Sequence, residues 1–219
     1  MQIATYFDQL YREHDRYWWR DKDRYAKASG SYPYSLLTQL TLRILEGGAP
    51  GGRVLDLGAG EGSDSIRLAL LGYQVDSVEI SHVAADKIKK FADEAGAAVN
   101  VTVADIVSFE PPASYDVVIC NGVLHYIEDK QSVVERMQKA TKDNGINVIS
   151  LWSTYSEVPR CHNIAPVFCD DENGIVTKLY ESWNSEFLYY ERDKPETAHG
   201  DLPGHSHSHI KLISRKFPV

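Results

Sequence analysis

The chain has 219 residues, a formal net charge of −8 and three cysteines. This length suits one α/β domain, and we expect a single domain over residues 1–219. The acidic balance, without a run of like charges, argues against a nucleic-acid partner. No apolar stretch reaches the roughly 20 residues that span a bilayer, and Met1–Leu10 lacks a signal-peptide pattern. Since Cys120, Cys161 and Cys169 form no even framework, we expect a reducing, cytoplasmic compartment and no membrane partner.

Residues 1–47 are predicted to form an N-terminal helical cap. The apolar spacing predicts helices over Ala4–Glu13, around Lys22–Lys27, and from Pro33 to Glu46. The many aromatic side chains of this part would form the core of the cap, line a substrate pocket, or do both. The candidates for substrate contact are Tyr17, Trp19 and Tyr34. A break rich in glycine, residues 47–52, separates the cap from the rest of the chain.

Strand and helix patterns alternate after this break. The alternation indicates βαβ units and therefore a doubly wound, Rossmann-like α/β fold with a mostly parallel, seven-stranded sheet. The predicted strands of this part are Arg53–Leu57, Gln74–Ile80, Val99–Ala104, Tyr115–Cys120 and Gly145–Leu151. The predicted helices are Glu61–Leu71, Val83–Ala95 and Lys130–Thr141. Residues 53–151 would form a ligand-binding core.

Residues 152–219 are expected to form the substrate side of the domain and a closing pair of strands. The late strands are predicted at Glu186–Arg192 and His209–Lys216. The linker between them is too short for a crossover helix, so they should pair as antiparallel neighbours at a sheet edge. Residues Ser153–Ser185 show no clear pattern.

The most informative motif is Val-Leu-Asp-Leu-Gly-Ala-Gly-Glu-Gly, at residues 54–62. Its glycines allow close approach of a ligand, and the following helix start offers free N–H groups to a negative group. A dinucleotide loop needs glycine at its sixth position, where this chain has Ser63, so a nicotinamide- or flavin-dependent oxidoreductase is disfavoured. Asp56 lies inside the strand, where a carboxylate needs partners such as a ligand ammonium or a chain of N–H groups.

Three further polar residues stand at the ends of successive predicted strands. Glu79 is placed to accept two ribose hydroxyls, and Asp105 to accept from an exocyclic amine such as that of adenine. Asn121 would lie beside the reacting group. Alone, each residue has a plainer interpretation as a surface charge, helix cap or turn residue. Their order favours a ligand with an amino-acid end, a ribose and an adenine.

On these residues the chain resembles the class I S-adenosylmethionine-dependent methyltransferases, over roughly Arg53–Leu151. The resemblance implies S-adenosylmethionine as the cofactor and S-adenosylhomocysteine as its product. It implies that the methionine part lies against Asp56, Gly58, Ala59 and Gly60, with Asn121 near it, the ribose on Glu79, and the adenine against Ile80, Asp105 and Ile106. Residues 183–191 and 205–216 are similar to the end of the tellurite-resistance-type methyltransferases, a small-molecule branch.

We expect methyl transfer to an O, N or S atom of a small molecule such as a natural product or metabolite, by a monomer or homodimer. Enzymes that methylate amides usually carry Asn/Asp-Pro-Pro-Tyr after the fourth strand. Here residues 121–124 read Asn-Gly-Val-Leu, which disfavours DNA-adenine and protein-glutamine substrates. The alternative function is a non-catalytic S-adenosylmethionine-binding subunit that acts through a protein partner.

Histidines supply the candidates for catalysis, although methyl transfer needs little beyond alignment of the reactants. The candidate bases are His125 and His207, and the further candidates for substrate contact are Tyr126, Trp152, His205 and His209. In an extended chain, the histidines at 205, 207 and 209 would share one face. These three histidines would then act at the pocket, bind a metal or remain solvated in a loop. The alternative for His125 is a packed histidine in the turn between a strand and a helix. No carboxylate partner is evident in the sequence, so no metal site is expected.

Overall fold

The computed structural model describes residues 3–17, 36–45, 51–158, 166–196 and 203–218. Helices in these ranges are α1 (Ile3–Glu13), α2 (Leu36–Ile44), α3 (Ser63–Leu70), α4 (His82–Ala95), α5 (Lys130–Ala140) and α6 (Ile175–Leu179). The strands are β1 (Arg53–Leu57), β2 (Gln74–Glu79), β3 (Val99–Val103), β4 (Tyr115–Asn121), β5 (Thr141–Trp152), β6 (Asn184–Glu196) and β7 (His205–Arg215). The predicted helix at Lys22–Lys27 and the candidates Trp19 and Tyr34 lie outside the described residues.

The strands form one seven-stranded sheet in the order β3-β2-β1-β4-β5-β7-β6. β1 pairs in parallel with both β2 and β4, and β4 pairs in parallel with β5. β7 runs antiparallel to its neighbours β5 and β6. The predicted doubly wound, mostly parallel sheet with an antiparallel last strand is confirmed. The chain order reverses between β1 and β4, the point at which such sheets bind ligands.

Alternate residues of the central strands pack against helices on opposite faces of the sheet. Val54 is fully buried with Leu37 of α2 and Leu68 of α3. Leu55, its neighbour, is fully buried on the other face with Met137 of α5. Burying each such side chain contributes about 1.5–3 kcal/mol. Because both faces are covered, the sheet edge at the carboxyl ends of the parallel strands is the place where polar groups are exposed to a ligand.

The predicted boundaries of three late strands are wrong. β5 begins at Thr141 rather than Gly145, because Thr141 pairs with Tyr115 and its hydroxyl donates to Asn147 Oδ1 at 2.6 Å. β6 and β7 are longer than Glu186–Arg192 and His209–Lys216, since they remain paired until Glu196 lies opposite His205. A register shift between Glu191 and Lys194 lets the pairing continue past the predicted end. The histidines are therefore strand residues and not solvated loop residues.

Helix α1 is fastened to the start of α4 and to the loop after β1. Asp8 Oδ1 accepts from Ser81 Oγ at 2.6 Å, and Ser81 itself caps α4. Just beyond α1, the backbone N–H of Tyr17 donates to the buried Glu61 at 2.9 Å, and Lys87 forms an ion pair with that carboxylate at 3.0 Å. These contacts hold α1 and Tyr17 over the carboxyl ends of β1 and β2. None of the helices in the described ranges is long and apolar enough to cross a bilayer.

Candidate active site

The glycine loop closes tightly over the end of β1. Gly58 and Gly60 have φ values of 72° and 57°, which favour glycine over any other residue. The N–H groups of Gly58 and Ala59 both donate to Val78 O, at 2.8 and 3.1 Å. A Cβ atom at Gly58 would lie 2.4 Å from Val123 Cγ2, in the turn after β4. Glycine is therefore required at this position by both backbone conformation and space.

Glu79, at the end of β2, links the glycine loop to the start of α4. Its Oε2 accepts from the N–H of Gly60 at 2.8 Å, and its Oε1 accepts from the N–H of Ser81 at 2.9 Å. Burial raises the pKa of Glu79 to about 6, and the backbone hydrogen bonds oppose that rise. Each carboxylate oxygen has two lone pairs, so Glu79 has capacity for hydroxyl donors as well.

Asp56 is buried within β1 beside the loop. Its Oδ2 accepts from Ser65 Oγ at 2.5 Å, and Ser77 Oγ donates to Ser65 Oγ at 2.7 Å. Burial raises the pKa of Asp56 to about 7, and the negative charges of Asp64 and Glu79 raise it further. The Ser65 hydroxyl supplies one of the partners that this buried carboxylate needs, and a ligand cation would stabilise its charged form.

Asp105 and Asn121 stand beyond the ends of β3 and at the end of β4. Asp105 is exposed, and its Oδ1 accepts from the N–H of Val107 at 2.9 Å, while Ile106 beside it is buried. Asn121 accepts through Oδ1 from Ser150 Oγ, and its amide lies 3.4 Å from Asp64 Oδ2. The side-chain amide of Asn121 is therefore oriented by neighbours on both sides.

These residues line one cavity of about 780 Å³ at the carboxyl ends of the strands. The predicted site residues that line it are Tyr17, Asp56, Gly58, Ala59, Gly60, Glu79, Ile80, Asp105, Ile106, Asn121, His125, Tyr126, Trp152, His207 and His209. His205 is not among the lining residues. Helix α1 supplies an apolar wall formed by Ile3, Tyr6, Phe7, Leu10 and Tyr11, none of which was among the named candidates for substrate contact. Aromatic side chains of the cap thus line the cavity, which is one of the two roles expected for them from the sequence.

Two histidines stack on Trp152 at the end of the cavity away from Glu79. The His125 ring lies 4.0 Å from the Trp152 ring at 12°, and the His207 ring lies 4.3 Å from it at 11°. Two imidazoles so close to one indole centre have no room side by side, so they cover opposite faces. The stack forms because His125 follows β4, Trp152 ends β5, and His207 lies on β7.

The N–H of Trp152 points to His125 Nδ1 at 3.4 Å. A nitrogen that accepts a backbone N–H carries no proton, so neutral His125 has its proton on Nε2. This tautomer donates from Nε2 and does not suit His125 as a base at that atom. Tyr126 closes the same region, with its ring 5.4 Å from Phe7 of α1, and burial raises the pKa of its hydroxyl.

The expectation that no carboxylate accompanies the histidines is wrong. Glu196 Oε2 lies 3.7 Å from His205 Nε2, because β6 and β7 place these residues opposite each other. Glu196 was missed since its strand was predicted to end four residues earlier, at Arg192. Burial lowers the pKa of His209 to about 4, although its Nδ1 lies 3.3 Å from Glu191 Oε2. His209 is therefore neutral at neutral pH.

The known proteins that this chain resembles in sequence are all methyltransferases in the comparisons that follow. A family model described as a methyltransferase domain matches residues 49–196. A probable S-adenosyl-L-methionine-dependent methyltransferase TehB of Haemophilus influenzae is 26% identical over 154 residues, 69% of this chain and 52% of that protein. A ubiquinone biosynthesis O-methyltransferase of Rickettsia conorii is 30% identical over 62% of this chain and 45% of its own length. The chain thus spans about half the length of these relatives.

Solved structures show the same fold. The crystal structure of TehB from Haemophilus influenzae has a TM-score of 0.72 at 20% identity, covering 89% of this chain and 66% of that chain. The N-methyltransferase NodS of Bradyrhizobium japonicum, solved with S-adenosyl-L-homocysteine, has a TM-score of 0.68 at 16% identity, covering 97% of both chains. The family model covers more than half of the chain, which therefore belongs to the methyltransferase domain family and is similar to the S-adenosylmethionine-dependent TehB.

Proposed function

We propose that this protein transfers the methyl group of S-adenosylmethionine to an O, N or S atom of a small molecule. The observation that carries the proposal is the cavity of about 780 Å³ that joins the glycine loop to the His125–Trp152–His207 stack. Its volume lies in the range of about 300–1,000 Å³ that is usual for ligand pockets. A site of this kind has room for an acceptor beside the cofactor, which a purely cofactor-binding subunit does not need.

The cofactor would lie across the strand ends with its charged and polar groups against matching partners. The ammonium group of its methionine part is assigned to Asp56, and the glycine loop admits the backbone of that part closely. The ribose hydroxyls are assigned to Glu79, whose oxygens are fixed by Gly60 and Ser81 before any ligand arrives. The adenine is assigned to the edge formed by Ile80, Asp105 and Ile106.

The acceptor would occupy the aromatic end of the cavity. Its walls there are the Trp152 stack, Tyr126 and the apolar face of α1, which together suit a flat or apolar molecule. His125 is assigned to orient the acceptor by donating from Nε2. The role of the enzyme is mainly to align the nucleophile with the methyl group and exclude water.

Calorimetry followed by an acceptor panel tests the proposal. We expect S-adenosylhomocysteine to bind and NAD not to bind. The oxidoreductase hypothesis predicts the opposite result. Incubation with S-adenosylmethionine and small phenols, amines, thiols or oxyanions should then produce S-adenosylhomocysteine only when an acceptor is present. Binding of the cofactor without turnover on any acceptor would favour the non-catalytic subunit instead. If neither S-adenosylmethionine nor S-adenosylhomocysteine binds, the cofactor assignment is refuted.

Proton release on cofactor binding should report the contact with Asp56. With a pKa of about 7, free Asp56 is about half protonated at pH 7, whereas Glu79, with a pKa of about 6, is mostly ionised. A ligand ammonium favours the carboxylate, so binding should release roughly half a proton at pH 7 and strengthen as pH rises from 6 to 8. Calorimetry in buffers of different ionisation enthalpy measures this release.

The control for proton release is a pair of substitutions. Asp56→Asn keeps an acceptor for Ser65 and should abolish the release, while Asp86→Asn, an exposed residue of α4, should leave it unchanged. Equal proton release by wild type and Asp56→Asn would contradict the ammonium assignment. The raised pKa also means that Asp56 itself makes folding less favourable as pH rises from about 4 to about 7, so Asp56→Asn should gain relative stability over that interval.

A further inference from the structure

Three side chains of metal-binding type converge where β6 and β7 meet the cavity. One ligand atom each of Glu196, His205 and His207 lies within 4.8 Å of the other two. The strand pairing produces this arrangement, because Glu196 lies opposite His205 and His207 follows on the same face of β7. The cluster stands apart from the residues assigned to the cofactor.

A contact with the backbone two residues earlier orients the His205 ring for metal binding. Its Nδ1 lies 2.7 Å from Pro203 O, and because a carbonyl only accepts, Nδ1 carries the proton. The lone pair of neutral His205 is therefore on Nε2, the atom that lies 3.7 Å from Glu196 Oε2. A backbone carbonyl on the second ring nitrogen is the usual partner of a metal-binding histidine, since it fixes both tautomer and ring orientation.

His207 is buried and held by neighbouring rings, whereas Glu196 is partly exposed. His207 is buried, stacks on Trp152 and lies edge-on to His205 at 4.8 Å. The side chains of His205 and Glu196 are 5% and 30% exposed. Lys194 and Lys211 are paired with a different carboxylate of β6. Their Nζ atoms lie 3.7 and 2.7 Å from Glu191 Oε2.

We propose that Glu196, His205 and His207 form a binding site for a divalent transition-metal ion, with Zn²⁺ as the best match to two imidazoles and one carboxylate. Ligand atoms at about 2.0–2.1 Å from a tetrahedral ion are roughly 3.4 Å apart, so modest side-chain rotation closes the site. Three protein ligands leave a fourth position open. Glu196 and His207 line the cavity, so this position faces the acceptor end. The further role of binding an acceptor oxygen or nitrogen there rests on the proposed function.

Titration of chelator-treated protein with Co²⁺ and Zn²⁺ tests the site without any need for activity. We expect one equivalent of Co²⁺ to bind with visible absorption typical of a low-symmetry site and to be displaced by Zn²⁺. His207→Ala and Glu196→Gln should each weaken binding by about 100-fold or more, since even changes outside the ligand shell cost about 10–100-fold. His82→Asn, which changes an exposed histidine at the start of α4, should bind the metal like wild type.

S-adenosylhomocysteine calorimetry on the same variants separates this proposal from the proposed function. Glu196→Gln should retain wild-type affinity for that ligand, which also shows that this variant is folded. The metal site is overturned if the wild-type protein binds no metal. It is also overturned if His207→Ala and Glu196→Gln bind the metal as strongly as wild type does. If the metal binds as expected but S-adenosylhomocysteine does not, the site stands and the cofactor assignment fails.

Discussion

Gly58→Ala should remove most cofactor binding and destabilise the fold. The new Cβ would lie 2.4 Å from Val123 Cγ2, and alanine would have to adopt a φ of 72°. The backbone strain costs about 1–2 kcal/mol and the overpacking about 1–3 kcal/mol. We expect the free energy of unfolding to fall by about 3 kcal/mol, and the affinity for S-adenosylhomocysteine to fall more than about tenfold as the loop shifts. Denaturant unfolding and calorimetry measure the two effects.

A second glycine separates strain from steric contact. Gly72 has a φ of 91°, but no atom lies within 4 Å of a Cβ built there. Gly72→Ala should therefore carry the strain alone and leave ligand affinity unchanged. In the Gly58→Ala background, Val123→Ala should recover part of the lost affinity. If Gly58→Ala were no more harmful than Gly72→Ala, the close approach of the loop to Val123 would have no role in binding.

Glu79→Ala should have the second large effect, because one carboxylate serves both the ligand and the loop. The substitution removes the acceptor for Gly60 and Ser81 as well as the proposed acceptor for the ribose. A buried N–H left without a partner costs about 1–3 kcal/mol, and hydrogen bonds to a charged group contribute about 1.5–3 kcal/mol each. We expect the affinity for S-adenosylhomocysteine to fall at least about 100-fold, with a smaller loss of stability, measured by calorimetry and denaturant unfolding.

Two variants make the Glu79 result specific. Glu79→Gln keeps one acceptor oxygen and should retain more stability than Glu79→Ala, while still weakening the ligand. Glu181→Ala changes an exposed glutamate remote from the loop and should alter neither quantity. Unchanged affinity in Glu79→Ala would refute the ribose assignment, whatever its effect on stability.

The central strands were predictable because β1 and β4 are short, mostly buried apolar segments that end in turns. Arg53–Leu57 was predicted with its observed limits, since an apolar run ends there in a glycine turn. The strand ends follow from parallel topology, so Glu79 and Asn121 could be placed at the cavity without knowledge of packing. The sequence pattern did not show that Glu79 would also hold the loop, because its bonds to Gly60 and Ser81 depend on backbone geometry.

The closing strands were harder to predict, for a physical reason. β6 is an edge strand with many exposed residues, so its sequence carries no strong alternation, and its register shift beyond Glu191 hides its true length. The histidine run was recognised, but its carboxylate neighbour depends on a pairing across two strands. Similarly, the stack of His125 and His207 on Trp152 joins three segments that are distant in sequence. Long-range contacts of this kind leave no local signal.

The attachment of α1 has a consequence for the rate of ligand exchange. Asp8 is bound to Ser81, two residues from Glu79, and α1 forms the apolar wall of the cavity. We expect a ligand held there to leave when this wall separates, so that breaking the Asp8 contact and releasing the ligand belong to one local opening event. The dissociation rate of a bound ligand should then follow the opening frequency of α1, which amide hydrogen exchange along Ile3–Glu13 records independently.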